Sequence, residues 1–262
     1  MSNRQRLSDQ ELNDLFVADL LSRYSQIRST RYVFVGNYRE LIDLIDESER
    51  IWFDIPVRDP FTRHSPETLE RLAEISRLLY NFLAIAFSLK DHTNRIVDLV
   101  FTESLYKAYE DQVQITFVEQ PLTRFIQDLR NYSLHRKLPI AGAQTTLQNN
   151  APVTTTMFLS KQKLLEWKDW SRNSKKFLEV YDSHIPIKNC IGEYYKIVKQ
   201  FHQWLETYFF TIYVQPIKAQ CEHEINVFKD SIPNGNLQEF FISKVVTKDS
   251  DILVDDTWSF SN

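Results

Sequence analysis

The sequence predicts an all-α protein: a helical bundle with a small β-hairpin insertion. Three observations carry this. Only 4 glycines and 9 prolines occur in 262 residues, too few turn formers for a many-stranded sheet. Apolar residues recur three and four positions apart through most of the chain, the period of a half-buried helix. Residues 139–160, rich in Thr, Asn and small residues, carry the only convincing strand signal. A chain of this length, 43% hydrophobic and 25% charged, has ample material for a core.

In chain order, Ser8 or Asp9 caps a first helix reaching about Arg28, with Leu12, Leu15, Phe16, Leu20 and Tyr24 on one side. A second helix starts at Asn37 and carries Leu41, Ile42, Leu44 and Ile45. Pro56 and Pro60 make 51–63 an extended link. Ser65-Pro66-Glu67-Thr68 then starts a helix: a capping hydroxyl, a proline in the first turn and an acid at the positive end. That helix reaches Val100 and is buried on most sides between Leu78 and Leu89. Thr102 to Tyr109 is a further helix, and Asp111 to Val118 a loop or short extended piece.

Residues 119–138 form an amphipathic helix with Pro121 in its first turn and Pro139 stopping it. After it, Gln144–Gln148 and Val153–Leu159 read as two strands around Asn149-Asn150-Ala151-Pro152. Ser160 caps a helix with Leu164, Leu165 and Trp167, and Ser171 caps another reaching Tyr181. His184-Ile185-Pro186 breaks the pattern, and a long helix runs from Ile187 towards Phe228, bent or ended at Pro216. Pro233 to Asn236 is a turn, and Leu237–Val246 a last short helix. The expected organisation is an N-terminal bundle at 1–138, the hairpin insert at 139–160, C-terminal helices packed on the bundle at 161–246, and a mobile tail at 247–262.

A formal net charge of −4 supplies no global positive field, so binding to nucleic acid needs a local basic patch. Cys190 and Cys221 are too few for a disulfide framework and are expected as free thiols in a reducing cytoplasm. The opening MSNRQRLSDQELNDLF has no apolar segment of the signal-peptide kind. The apolar windows at 78–89 and 208–214 are too short to span a bilayer, so no membrane association is expected.

The 119–138 helix holds the candidate chemistry. Leu122, Phe125, Ile126, Leu129 and Tyr132 fall on one arc of its wheel. Arg124, Asp128, Asn131 and His135 fall on the opposite arc, with Gln127 at its edge. The run Arg130-Asn131-Tyr132-Ser133-Leu134-His135 resembles the signature of the HEPN superfamily: an Arg, four to six residues, then a His, with a polar residue often directly after the Arg. The resemblance is firm over these six residues and looser over residues 60–138, a long helix followed by a motif helix. Some members carry an aromatic two positions after the His; Lys137 stands there in this chain.

The resemblance implies a helical bundle acting as a homodimer, with the active site formed where two motif helices meet. It implies metal-independent cleavage of RNA, without cofactor, in a toxin or anti-phage defence setting with an antitoxin or other partner protein. His135 corresponds to the motif histidine, Arg130 to the motif arginine and Asn131 to the polar residue. The chemistry asks for these types: imidazole titrates near neutrality and moves protons, and the guanidinium fork meets charge on phosphate oxygens. Arg124, Arg136 and Lys137 are the candidate RNA-binding patch. Arg130 and His135 lie about 140° apart on a straight helix, so one copy does not aim both at one atom, whereas two facing copies can.

A non-catalytic helical interaction protein with a HEPN-like fold is the alternative, and the negative net charge favours it. Other groups carry less. Cys221-Glu222-His223-Glu224 lacks a second pair of metal ligands, Asp91-His92 reads as a core or capping pair, and Cys190 has no neighbouring base. The Trp and Tyr residues at 194–213 are expected in the core.

Overall fold

A computed structural model describes residues 9–58, 65–100, 103–139, 141–146 and 154–209. The chain divides into two units, Met1–Tyr195 and Lys196–Asn262. Among the described residues the protein is helical with one small sheet, as the sequence predicts. The elements are α1 (Asp9–Arg58), α2 (Pro66–Val100), α3 (Glu103–Val113), α4 (Pro121–His135), β1 (Ala141–Thr146), β2 (Thr154–Ser160), α5 (Lys161–Leu165), α6 (Arg172–Glu179), β3 (His184–Pro186) and α7 (Ile187–Phe209). The expected turn at 233–236, the helix at 237–246, the tail, Pro216 and Cys221 lie outside the described residues.

The two expected N-terminal helices are one. Nothing breaks α1 between Arg28 and Asn37, although Thr30, Val33, Val35 and Gly36 are poor helix formers. Burial overrides that local preference: Phe34 and Val35 are buried, and the Phe34 ring lies 5.1 Å from Phe82 and 5.8 Å from Tyr195. Tyr38 stacks on Tyr195 at 3.9 Å, one turn further along. Thr30 returns its hydroxyl to the Gln26 carbonyl at 2.7 Å and so stays compatible with the helix. The expected extended link also starts later, because α1 continues through Pro56 to Arg58.

α2 begins as expected. Ser65 Oγ accepts from the Thr68 N–H at 3.3 Å, and its bond to Glu67 holds that carboxyl below the usual range. Ile75, Leu79, Phe82, Leu83 and Leu89 on α2 are essentially inaccessible, and Phe82 meets the Phe34 ring of α1. By length and composition, Pro66–Asp98 of α2 includes a stretch long and apolar enough to cross a membrane. The sequence expectation rested on the shorter apolar run at 78–89; 44% of the longer stretch is buried inside the protein.

Helix α3 extends to Val113 and passes into a wide π-type turn at Gln114–Val118, where a loop or extended piece was expected. The hairpin forms with β1 antiparallel to β2, Gly142 facing Phe158 and Thr145 facing Thr155. His184-Ile185-Pro186 does more than break the helical pattern. It is β3, antiparallel to β2 with Ile185 opposite Leu159, so the sheet has three strands in the order β1-β2-β3. Ser160 and Ser171 cap α5 and α6 as expected, accepting from the N–H groups of Lys163 and Ser174. The hairpin, α5 and α6 belong to the first unit. In the second unit, Phe201, Trp204 and Tyr208 form a run of ring contacts along α7, with centroids 5.6 and 5.3 Å apart.

Candidate functional site

The site is built on α4. Pro121 occupies its first turn, where a missing N–H costs nothing. Thr123 Oγ1 lies 3.1 Å from the Thr116, Phe117 and Gln120 carbonyls and ties the start of the helix to the π-type turn. The helix ends at His135, three residues before the expected boundary, where the Arg136 and Lys137 N–H groups both reach the Tyr132 carbonyl at 2.9 and 3.3 Å. Its apolar arc is buried from Phe125 to Tyr132, with Leu122 half-buried: Phe125 stacks on Phe177 at 4.5 Å and on Trp170 at 5.5 Å, and Tyr132 stacks on Trp170 at 5.8 Å.

The polar stripe splits in two. Its upper half is drawn into the fold, with Arg124 half-buried and Asp128 buried. Asp128 is 3% exposed; its Oδ2 accepts the Ser171 N–H at 2.9 Å and the Ser174 hydroxyl at 2.7 Å, at the N-terminus of α6. Arg124 sits 3.6 Å from Asp128 and donates to Ser171 Oγ at 3.3 Å and to Gln127 at 2.9 Å. Arg124, expected in the RNA-binding patch, is thus joined to a structural network that docks α6. The lower half stays outward. Asn131 is half-buried and His135 exposed, one turn apart on neighbouring positions.

Arg130 is half-buried, its guanidinium 4.0 Å above the Phe87 ring of α2 and its NH1 donating to Asn131 Oδ1 at 3.3 Å. This links Arg130 and Asn131 directly, with His135 one turn beyond Asn131. Arg136 is exposed. Lys137 pairs with Glu166 at 2.8 Å, an exposed contact that holds the Glu166 carboxyl below its ordinary range and Lys137 above.

A cleft of about 220 Å³ opens beside Arg130, between α2 and α4. Tyr80, Leu83, Phe87 and Asp91 line it from α2, Arg130 and Leu134 from α4. No pattern within α2 alone marks these residues, because their phase relative to α4 is set only when the helices pack. The Asp91-His92 pair divides accordingly. His92 is half-buried and its Nδ1 meets Thr30 Oγ1 at 2.6 Å, whereas Asp91 is exposed and faces the cleft. Cys190 is buried, which pushes its thiol pKa up and keeps the nucleophilic thiolate unpopulated. Among the described residues no three His, Cys, Asp or Glu side chains are grouped as metal ligands.

Fold and site together define a helical protein with a small antiparallel sheet and an Arg-Asn-His constellation at one helix end. No protein-family model, curated protein or solved structure matches the chain.

Proposed function

We propose that this chain is a HEPN-like endoribonuclease that acts as a homodimer without metal, in a toxin–antitoxin or anti-phage defence role. The observation that supports it most is the outward end of α4: Arg130 bonded to Asn131, and His135 one turn beyond and open to solvent. In the reaction the 2′-oxygen of RNA attacks the adjacent phosphorus. The new P–O2′ bond forms as the P–O5′ bond breaks, leaving a 2′,3′-cyclic phosphate and a free 5′-hydroxyl. The His135 imidazole moves the proton between the attacking and leaving oxygens. Arg130 of the facing copy meets the charge on the non-bridging oxygens, and Asn131 orients it. Arg130 and the exposed Arg136 supply local positive charge that the net −4 chain lacks overall, while Lys137 is paired with Glu166 and Arg124 with Asp128.

A second reading is a non-catalytic helical interaction protein. The stacking of Arg130 on Phe87 and the pairing of Arg124 with Asp128 favour it, since both give an arginine a packing role. Activity separates the two. The purified chain is incubated with mixed RNA in EDTA, beside His135→Ala. The nuclease reading expects cleavage by the native chain and a rate lower by about 10²- to 10⁴-fold in the variant. Because His135 is exposed, circular dichroism should be the same for both. Equal rates in the two proteins, or no cleavage by either, favour the interaction protein.

A further inference from the structure

The cleft beside Arg130 has a composition that the cleavage chemistry does not use. Leu83 is buried at its floor, Tyr80 and Phe87 give aromatic walls, and the Arg130 guanidinium covers Phe87. Asp91 stands exposed at the rim, without hydrogen bond or ion pair to any described residue. At about 220 Å³ the cleft falls below the roughly 300–1,000 Å³ of sites for drug-sized ligands and suits one flat ring system.

We propose that this cleft is a nucleobase subsite selective for guanine, an inference that rests on the ribonuclease reading of the same site. Single-stranded RNA is read by splaying a base out, stacking it on aromatic rings or guanidinium planes, and bonding its Watson–Crick edge. Guanine is the RNA base whose edge presents two adjacent donors, N1–H and N2–H, and a carboxylate offers two acceptor oxygens. Asp91 takes these donors, Tyr80 and Leu83 hold the ring, and the Arg130 guanidinium, seated on Phe87 and bonded to Asn131, gives the cleft a flat cationic side. Adenine and cytosine place an acceptor beside a donor on that edge, and uracil has its one donor between two acceptors. Each turns at least one acceptor towards the Asp91 carboxylate.

The test uses full-length His135→Ala protein titrated calorimetrically with GMP, AMP, CMP and UMP, and the same protein carrying Asp91→Asn. GMP is expected to bind about tenfold to hundredfold tighter than the others, with the difference lost in Asp91→Asn. In parallel, native His135 protein is expected to cut defined RNA at guanines, and Asp91→Asn to spread the cuts over the four bases. Equal affinities for the four nucleotides, or discrimination that survives Asp91→Asn, overturns the subsite. Cleavage unrelated to guanine, with GMP still preferred, overturns it as an RNA subsite and leaves a site for the free nucleotide. Guanine discrimination in a chain that cuts no RNA removes the nuclease reading instead.

Discussion

At the scale of single residues, Asp128 shows most clearly how local pattern and packing diverge. On a helical wheel it belongs with Arg124, Asn131 and His135, a stripe that periodicity assigns to water. In the fold it is 3% exposed and holds the first turn of α6 through Ser171 and Ser174. Removing a buried acceptor leaves its donors unmet, and a buried charge pair broken on one side costs more than a surface pair. Asp128→Ala should therefore lower unfolding free energy by about 2–4 kcal/mol in urea denaturation. Asp128→Asn, which keeps one carbonyl acceptor, should lose less. Equal losses from both would mean that the hydrogen bonds to α6 are unimportant. The residue types at the site were legible in the sequence, and so was the buried arc from Phe125 to Tyr132. The pairing of Asp128 with α6 was not, because the partner lies 43 residues away and only tertiary packing brings it there.

At the scale of elements, helix starts were the most legible features. Ser65, Ser160 and Ser171 each cap as their local sequence predicts, since capping depends on groups three residues apart. Continuity of α1 and the existence of β3 were not legible, because burial of Phe34 and pairing of Ile185 with Leu159 are decided by distant partners. The sheet makes its own prediction. A Cβ on Gly142 would lie 2.8 Å from Phe158 Cζ on the opposite strand. The Phe158 ring has little room to give way, with the His184 ring of β3 at 3.7 Å. Gly142→Ala is expected to destabilise the protein by about 1–3 kcal/mol through this overpacking, read as a lower denaturation midpoint. An unchanged midpoint would mean that Phe158 swings aside freely.

At the scale of the whole molecule, the proposal depends on two copies. Arg130 faces the α2 side of α4, and His135 sits exposed at the helix end, about 140° further round. A single chain thus does not converge both on one phosphate, whereas a two-fold pair of α4 helices can. The measurement that tests this most directly mixes two inactive full-length variants, Arg130→Gln and His135→Ala, under conditions that let subunits exchange. Each mixed dimer would hold one site with both groups intact and one with neither. Cleavage should then return to about a quarter of the native level, since half the dimers are mixed and half their sites are whole. A mixture as inactive as its components, with mixed dimers demonstrated, would contradict a site shared between subunits.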